Sequence, residues 1–209
     1  MNRNRKLFVA VAGNIGSGKT SLTELLAARY GWKPYYEDID NPYLDDFYQN
    51  MERWSFNLQI SFLSKKIAQL QRISGERRSV IQDRTIYEEA LIFVRNLHDM
   101  LLMSQRDYNT YLRLFELIIK KVKQPDLLIY LKADTATLKR QIIRRGRSYE
   151  QGIDTEYLNR LNNLYNDWVD HQYKGRVLIF DIDRMNFIDN PSDLQQIYDR
   201  VDAFLANQQ

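Results

Sequence analysis

The chain has no cysteine, which excludes disulfides, thiolate nucleophiles and cysteine-ligated zinc. Histidine is scarce as well. His98 and His171 are far apart in sequence, so any metal must use oxygen ligands or arrive with a substrate. Charge of one sign is also lacking: 30 Lys and Arg against 27 Asp and Glu leave a net +3, too small a bias to argue for a nucleic-acid polymer as partner. No apolar run approaches the roughly 20 residues needed to cross a bilayer. The basic residues 1–6 precede an apolar stretch that ends at Gly13 without a signal-peptide cleavage pattern. With only 8 Gly and 4 Pro there is no linker-like tract to divide the 209 residues. The expectation is one domain over residues 1–209, soluble and cytoplasmic, acting on a small molecule.

What is present is an alternation of patterns. Short apolar runs at residues 7–12, 34–36, 80–82, 127–131 and 177–180 read as strands. Helical periodicity occupies residues 20–30, 54–73, 87–97, 108–122, 135–145, 154–173 and 192–205. Strand alternating with helix predicts an α/β fold, a mostly parallel sheet covered on both faces. In such sheets ligands bind beyond the carboxyl ends of the strands. Those ends carry the Gly-rich loop, Glu37-Asp38, Asp83-Arg84 and Lys132, so a parallel sheet would gather them on one edge.

Gly13-Asn14-Ile15-Gly16-Ser17-Gly18-Lys19-Thr20 fits the P-loop pattern G-x-x-x-x-G-K-[ST] and sits between a strand and a helix, as the pattern requires. Glycines let successive backbone N–H groups turn inward at a helix N-terminus, forming a nest for phosphate oxygens. Lys19 can reach the β- and γ-phosphates of a nucleoside triphosphate, and the Thr20 hydroxyl can ligate Mg²⁺. No Asp is followed three residues later by Gly and no Asn-Lys pair occurs, which argues against a guanine-nucleotide switch.

Glu37 could accept the proton of an attacking hydroxyl, although beside Asp38 and Asp40 it could equally belong to a solvated acidic loop. Asp83-Arg84 joins a carboxylate suited to Mg²⁺ with a guanidinium suited to phosphate, or forms a surface ion pair at a strand end. Trp54, Phe56, Leu58 and Phe62 make an aromatic and apolar stripe that suits a core or a pocket. Gln59 among them offers the paired donor and acceptor of a side-chain amide, matched to a nucleobase edge. Lys139, Arg140, Arg144, Arg145 and Arg147 form either a solvated basic helix end or a lid that neutralises a transferring phosphoryl group.

Taken in order, the P-loop, Glu37, Glu52-Arg53-Trp54-Ser55-Phe56-Asn57-Leu58-Gln59, Asp83-Arg84-Thr85-Ile86-Tyr87 and residues 145–153 resemble deoxynucleoside kinases over nearly the whole chain. The group in question is that of the deoxycytidine, deoxyguanosine and deoxyadenosine kinases. The resemblance implies a P-loop kinase fold with a five-stranded parallel sheet, a short arginine-rich lid at about 140–153, and a homodimer formed by the helices at 87–97 and 108–122. It implies ATP with Mg²⁺ as donor, bound by Gly13 to Thr20, Arg144 and Arg147, with Thr20 and Asp83 at the metal. Glu37 would be the base, with Lys19, Arg84 and Arg145 acting on the phosphoryl group. Gln59 would bond the nucleobase, Phe93 stack on it, and Tyr48 and Glu150 meet the sugar 3′-hydroxyl. Lys66 and Glu89 stand where relatives carry Arg and Asp and help to choose the base. Gln141 stands where an earlier lid arginine is expected, leaving Arg140 and Arg144 as candidates for that role. The short chain and the runs Glu37 to Pro42 and Asp83 to Thr85 are more like bacterial deoxyadenosine/deoxyguanosine kinases than the animal enzymes; of these we take a bacterial deoxyadenosine kinase as the model and deoxyadenosine as the expected acceptor.

Two other functions fit the P-loop. A nucleoside monophosphate kinase such as thymidylate kinase shares loop, sheet and lid, but Glu37 near the acceptor hydroxyl would repel a second phosphate. A nucleotide-binding regulatory module would need neither Glu37, Asp83 nor the lid arginines, and all are present.

Overall fold

The computed structural model describes residues 6–37, 40–147, 150 and 152–207. Five parallel strands form one sheet in the order β2-β3-β1-β4-β5: β1 (Phe8–Gly13), β2 (Lys33–Tyr35), β3 (Val80–Asp83), β4 (Leu127–Lys132) and β5 (Val177–Asp181). Every residue of β1 is buried, as expected of a central strand covered on both faces. Its partners on either side, β3 and β4, are buried as fully except at Lys132. The second strand lies one residue earlier than periodicity predicts and sits on an edge, paired only with β3. Its Pro34 lacks an N–H and suits that position.

Helix ends follow local chemistry. α1 (Lys19–Tyr30) starts after Gly18 and stops at Gly31, both left-handed, with φ of 88° and 67°. Asn50 accepts from the Arg53 N–H to cap α3 (Met51–Gly75). α2 (Leu44–Gln49) precedes it and is absent from the helices read in the sequence, since six residues with one buried side chain, Phe47, show no periodicity. The helix expected at 87–97 is α4 (Ile86–Glu88) running through a π-helical stretch, Glu89–Val94, into α5 (Arg95–Asp99). Such widened turns are common at functional sites. The next helix, α6 (Gln105–Ile119), is capped by Ser104.

Asp134 caps α7 (Thr135–Arg145), which ends at left-handed Gly146. The helix expected at 154–173 is α8 (Thr155–Asp167) followed by a π-helical turn, Trp168–Gln172. α9 (Pro191–Ala206) starts on proline with Asn190 as its cap. Among the described residues no helix is long and apolar enough to cross a membrane.

The phosphate loop is packed against α7. A Cβ at Gly16, where φ is 85°, would stand 2.8 Å from the Leu138 carbonyl oxygen and 2.9 Å from Ile142 Cγ1. Gly16→Ala must therefore move backbone as well as adopt an unfavourable φ. We expect it to destabilise the fold by about 1–3 kcal/mol, read as a lower midpoint in urea unfolding.

Candidate active site

A cavity of about 650 Å³ opens beyond the carboxyl ends of the strands. It is lined by Gly16, Gly18, Lys19 and Thr20 of the loop, by Glu37, Tyr48, Gln59, Arg84, Glu89 and Phe93, and by Arg144, Arg145, Arg147 and Glu150. Charges that the sequence places at separate strand and helix ends thus line one cavity, although Asp83 and Lys132 are not among its lining residues. Asp38, Ser148, Tyr149 and Gln151 of the corresponding motifs lie outside the described residues.

On the loop side, Gly13, Gly16 and Gly18 all have positive φ. A Cβ at Gly13 would meet Ser17 Oγ at 2.5 Å, so the tight turn tolerates no side chain there. Phe187, from the segment after β5, packs against Gly18. Lys19 Nζ donates to the Asn14 carbonyl at 2.9 Å, across the mouth of the nest. Burial, with Arg84 adding to it, lowers the Lys19 ammonium to about 8. The Asn14 side chain turns away from the cavity: its amide donates to Leu158 O and Asn162 Oδ1, tying the loop to α8. Thr20 Oγ1 donates to Asp83 Oδ2 at 2.6 Å, and Asp83 Oδ1 is buried without a hydrogen-bond partner. A hydroxyl beside a carboxylate with one oxygen unused fits a hard divalent cation.

On the opposite side, Arg84 follows β3 with φ of 63°, a left-handed conformation disfavoured for a long side chain. Its N–H donates to Val11 O at 3.0 Å, which holds the turn to β1. The guanidinium lies 3.2 Å from Glu37 Oε1 and 4.2 Å from the centre of the Phe93 ring. Burial would raise the Glu37 carboxyl, but Arg84, Lys19, Lys66 and Arg147 together bring it below the ordinary carboxylate range. It is therefore a carboxylate at neutral pH.

Deeper in the cavity, Gln59 Oε1 and Glu89 Oε1 are buried and accept no hydrogen bond. Buried acceptors are rarely left unmet, so both suit a polar ligand. Lys66 is turned from the cavity, its ammonium donating to Arg84 O at 2.8 Å. Of the aromatic stripe, Leu58 and Phe62 line the cavity, whereas Trp54 and Phe56 pack against the core.

Arg145 and Arg147 both pair with the buried Glu150. Gln141 and Arg144 face the cavity, whereas Arg140 donates to Thr137 Oγ1 and lines a second cavity of about 350 Å³ beside the segment after β5. Arg144 also borders that space and pairs with Asp189 at 3.3 Å. Tyr157 and Ile188 also line the main cavity, and behind the loop Asn162 donates to Ala133 O while Glu88 accepts from the Gly13 N–H. None of these four carries a motif that reveals it in sequence, except that Thr85-Ile86-Tyr87-Glu88 has the spacing of a capping box.

The profile of the family described as deoxynucleoside kinase matches residues 9–206. A deoxyadenosine/deoxycytidine kinase of Bacillus subtilis (strain 168) is 35% identical over 97% of this chain and 94% of its own. A deoxyguanosine kinase of the same strain is 34% identical over 97% of this chain and 100% of its own. A solved structure of deoxyadenosine kinase from M. mycoides, with products dCMP and a flexible dCDP bound, superposes with a TM-score of 0.84. It is 26% identical, over 94% of this chain and 100% of that one.

Burial pushes the Glu89 carboxyl up to about 7, against the opposing pull of Arg84 and Lys66. A carboxyl raised in the folded state contributes most below its ordinary range near 4.5, and that contribution is lost as pH rises through about 7. Glu89→Gln should therefore gain on the wild type as pH rises. We expect up to about 3 kcal/mol more relative stability at pH 8.5 than at pH 5. Thermal unfolding of both proteins without ligand at the two pH values checks this, and a constant difference would contradict it.

Proposed function

The chain belongs to the deoxynucleoside kinase family, and from that premise we propose that it moves the γ-phosphoryl group of ATP to the 5′-hydroxyl of a deoxynucleoside, deoxyadenosine foremost. The observation that carries this reading is the meeting, in one cavity, of the Lys19 loop, the Glu37–Arg84 pair and the unmet acceptors of Gln59 and Glu89. The first two serve phosphoryl transfer, and the acceptors suit a heterocycle with polar edges.

The loop amides and Lys19 hold the β- and γ-phosphates, with Arg144 and Arg147 adding contacts to ATP. Thr20 and Asp83 would hold Mg²⁺, which when bound offsets charge on the phosphates. Glu37 accepts the 5′-hydroxyl proton as the new P–O bond forms and the bond from the γ-phosphorus to the bridging oxygen breaks, releasing ADP. An alcohol aligned with the phosphorus needs positioning more than strong deprotonation, so the fixed geometry of Glu37 on Arg84 is the larger contribution. Arg84 and Arg145 meet charge spread over the transferring oxygens. Gln59 and Glu89 bond the base edge, Phe93 stacks on it, and Tyr48 and Glu150 take the 3′-hydroxyl. Glu150 then exchanges part of its arginine pairing for that contact.

Deoxyadenosine is favoured by the name of the B. subtilis relative at 35% identity and by that of the M. mycoides protein, whose structure holds a deoxynucleoside monophosphate as product. A relative of nearly equal identity is named for deoxyguanosine, and both the B. subtilis name and the dCMP in the M. mycoides structure add deoxycytidine, so the acceptor class is the deoxynucleosides of adenine, guanine and cytosine, with deoxyadenosine as our choice. We further propose a single domain that works as a cytoplasmic homodimer. Leu114 and Leu117 on α6, 41% and 64% exposed, support an interface on that helix.

Incubation of the four natural deoxynucleosides with ATP and Mg²⁺ should give monophosphates, deoxyadenosine fastest, while dAMP and dTMP stay unphosphorylated; activity on the monophosphates alone would reject the reading. Glu37→Gln should lower kcat by about 10²–10⁴-fold in a folded protein. Lys19→Ala should lose about 10²-fold or more even at saturating ATP. Unchanged turnover in either would remove that residue's assigned role.

A further inference from the structure

Glu88 is fully buried, does not line the cavity and has no part in the chemistry above, yet its carboxylate joins the phosphate loop to the turn after β3. Its Oε1 accepts from the Gly13 N–H at 3.4 Å and from the Tyr165 hydroxyl at 2.9 Å. Its Oε2 accepts from the Thr85 N–H at 2.7 Å and from the Thr85 hydroxyl at 3.1 Å. All four partners donate, an arrangement that suits an ionised carboxylate and leaves an amide with one atom misplaced.

The reach of these contacts exceeds what a helix start requires. Thr85 is three residues away, but Gly13 is 75 residues away and opens the phosphate loop. Thr85 directly follows Arg84, the residue held left-handed with its guanidinium on Glu37. One side chain therefore sets the spacing between the start of the donor loop and the turn that aims Arg84. Tyr165 extends the support: its ring lies edge-on to Phe93, 6.4 Å between centres, and Phe93 carries the Arg84 guanidinium on its other contact.

We infer that Glu88 is a positioning residue for phosphoryl transfer, fixing Arg84, and through it Glu37, relative to the phosphate loop. This rests on the transfer reaction proposed above. Its removal disturbs the alignment of groups that act in the transition state while leaving the surfaces that hold the two substrates, so the loss falls on kcat and not on KM.

The test is steady-state kinetics of Glu88→Gln on the intact protein with ATP, Mg²⁺ and the best natural deoxynucleoside. We expect kcat to fall about 10–100-fold, both KM values to stay within about threefold, and most of the loss to disappear when Glu88→Gln is combined with Glu37→Gln. A purely structural carboxylate would instead raise KM or give losses that multiply in the double variant. Tyr165→Phe, which removes one of the four donors and keeps the ring, should show the same pattern at about threefold and serves if Glu88→Gln does not fold. Wild-type turnover retained in Glu88→Gln, or multiplicative losses, would overturn the inference alone. A wild type inactive on all four deoxynucleosides would overturn the kinase reading.

Discussion

The site is organised by one buried cation. Arg84 is almost wholly enclosed, and an isolated guanidinium there would cost several kcal/mol in lost hydration. Burial would lower it, but Glu37, Glu88 and Glu89, with the Tyr165 ring nearby, hold it well above its ordinary range. Glu37 stays ionised and fixed in direction, Glu89 is pushed up to about 7, and Glu88 is satisfied by donors alone. Burial raises all three acids, and the cations beside Glu37 alone reverse that and bring it below the ordinary carboxylate range.

That arrangement follows from the sheet. Parallel pairing of β1 with β3 and β4 brings Gly13, Asp83-Arg84 and Lys132 to the same end, and β2 beside β3 brings Glu37 in from the edge. The Arg84 N–H bond to Val11 O makes the turn after β3 an extension of β1 itself. Donor loop and acceptor turn therefore share a frame, and the contact of Gly16 with α7 extends that frame to the base of the arginine-bearing helix.

Much of this was legible in the chain. The G-x-x-x-x-G-K-[ST] spacing marks the loop, and the residues closing each apolar run mark the rim, because a parallel sheet sends all its strand ends one way. The five strands follow from short apolar runs. Less legible were features set by tertiary packing. The one-residue offset of β2 depends on its register with Val80 to Gln82, which periodicity in three residues does not carry. The π-helical stretch at Glu89–Val94 looks like ordinary helix in sequence. The Lys66 ammonium turns to the carbonyls at the end of β3, a choice among partners 17 and 18 residues away. Asn14 reads as a phosphate-loop residue, yet its side chain serves α8, donating to Leu158 O and Asn162 Oδ1.

The sheet margins have a consequence for the protein as a solute. β2 offers only three residues to solvent, one of them Pro34 and another Lys33, so it presents almost no free N–H groups to an incoming strand. At the other margin Arg200 of α9 donates to the Ile179 carbonyl at 2.7 Å, occupying an acceptor on β5. Open parallel sheets are templates for misassembly when their edges are long and bare. Here both margins are blunted, one by proline and brevity and one by a capping guanidinium, so crowded chains have little ladder along which to aggregate.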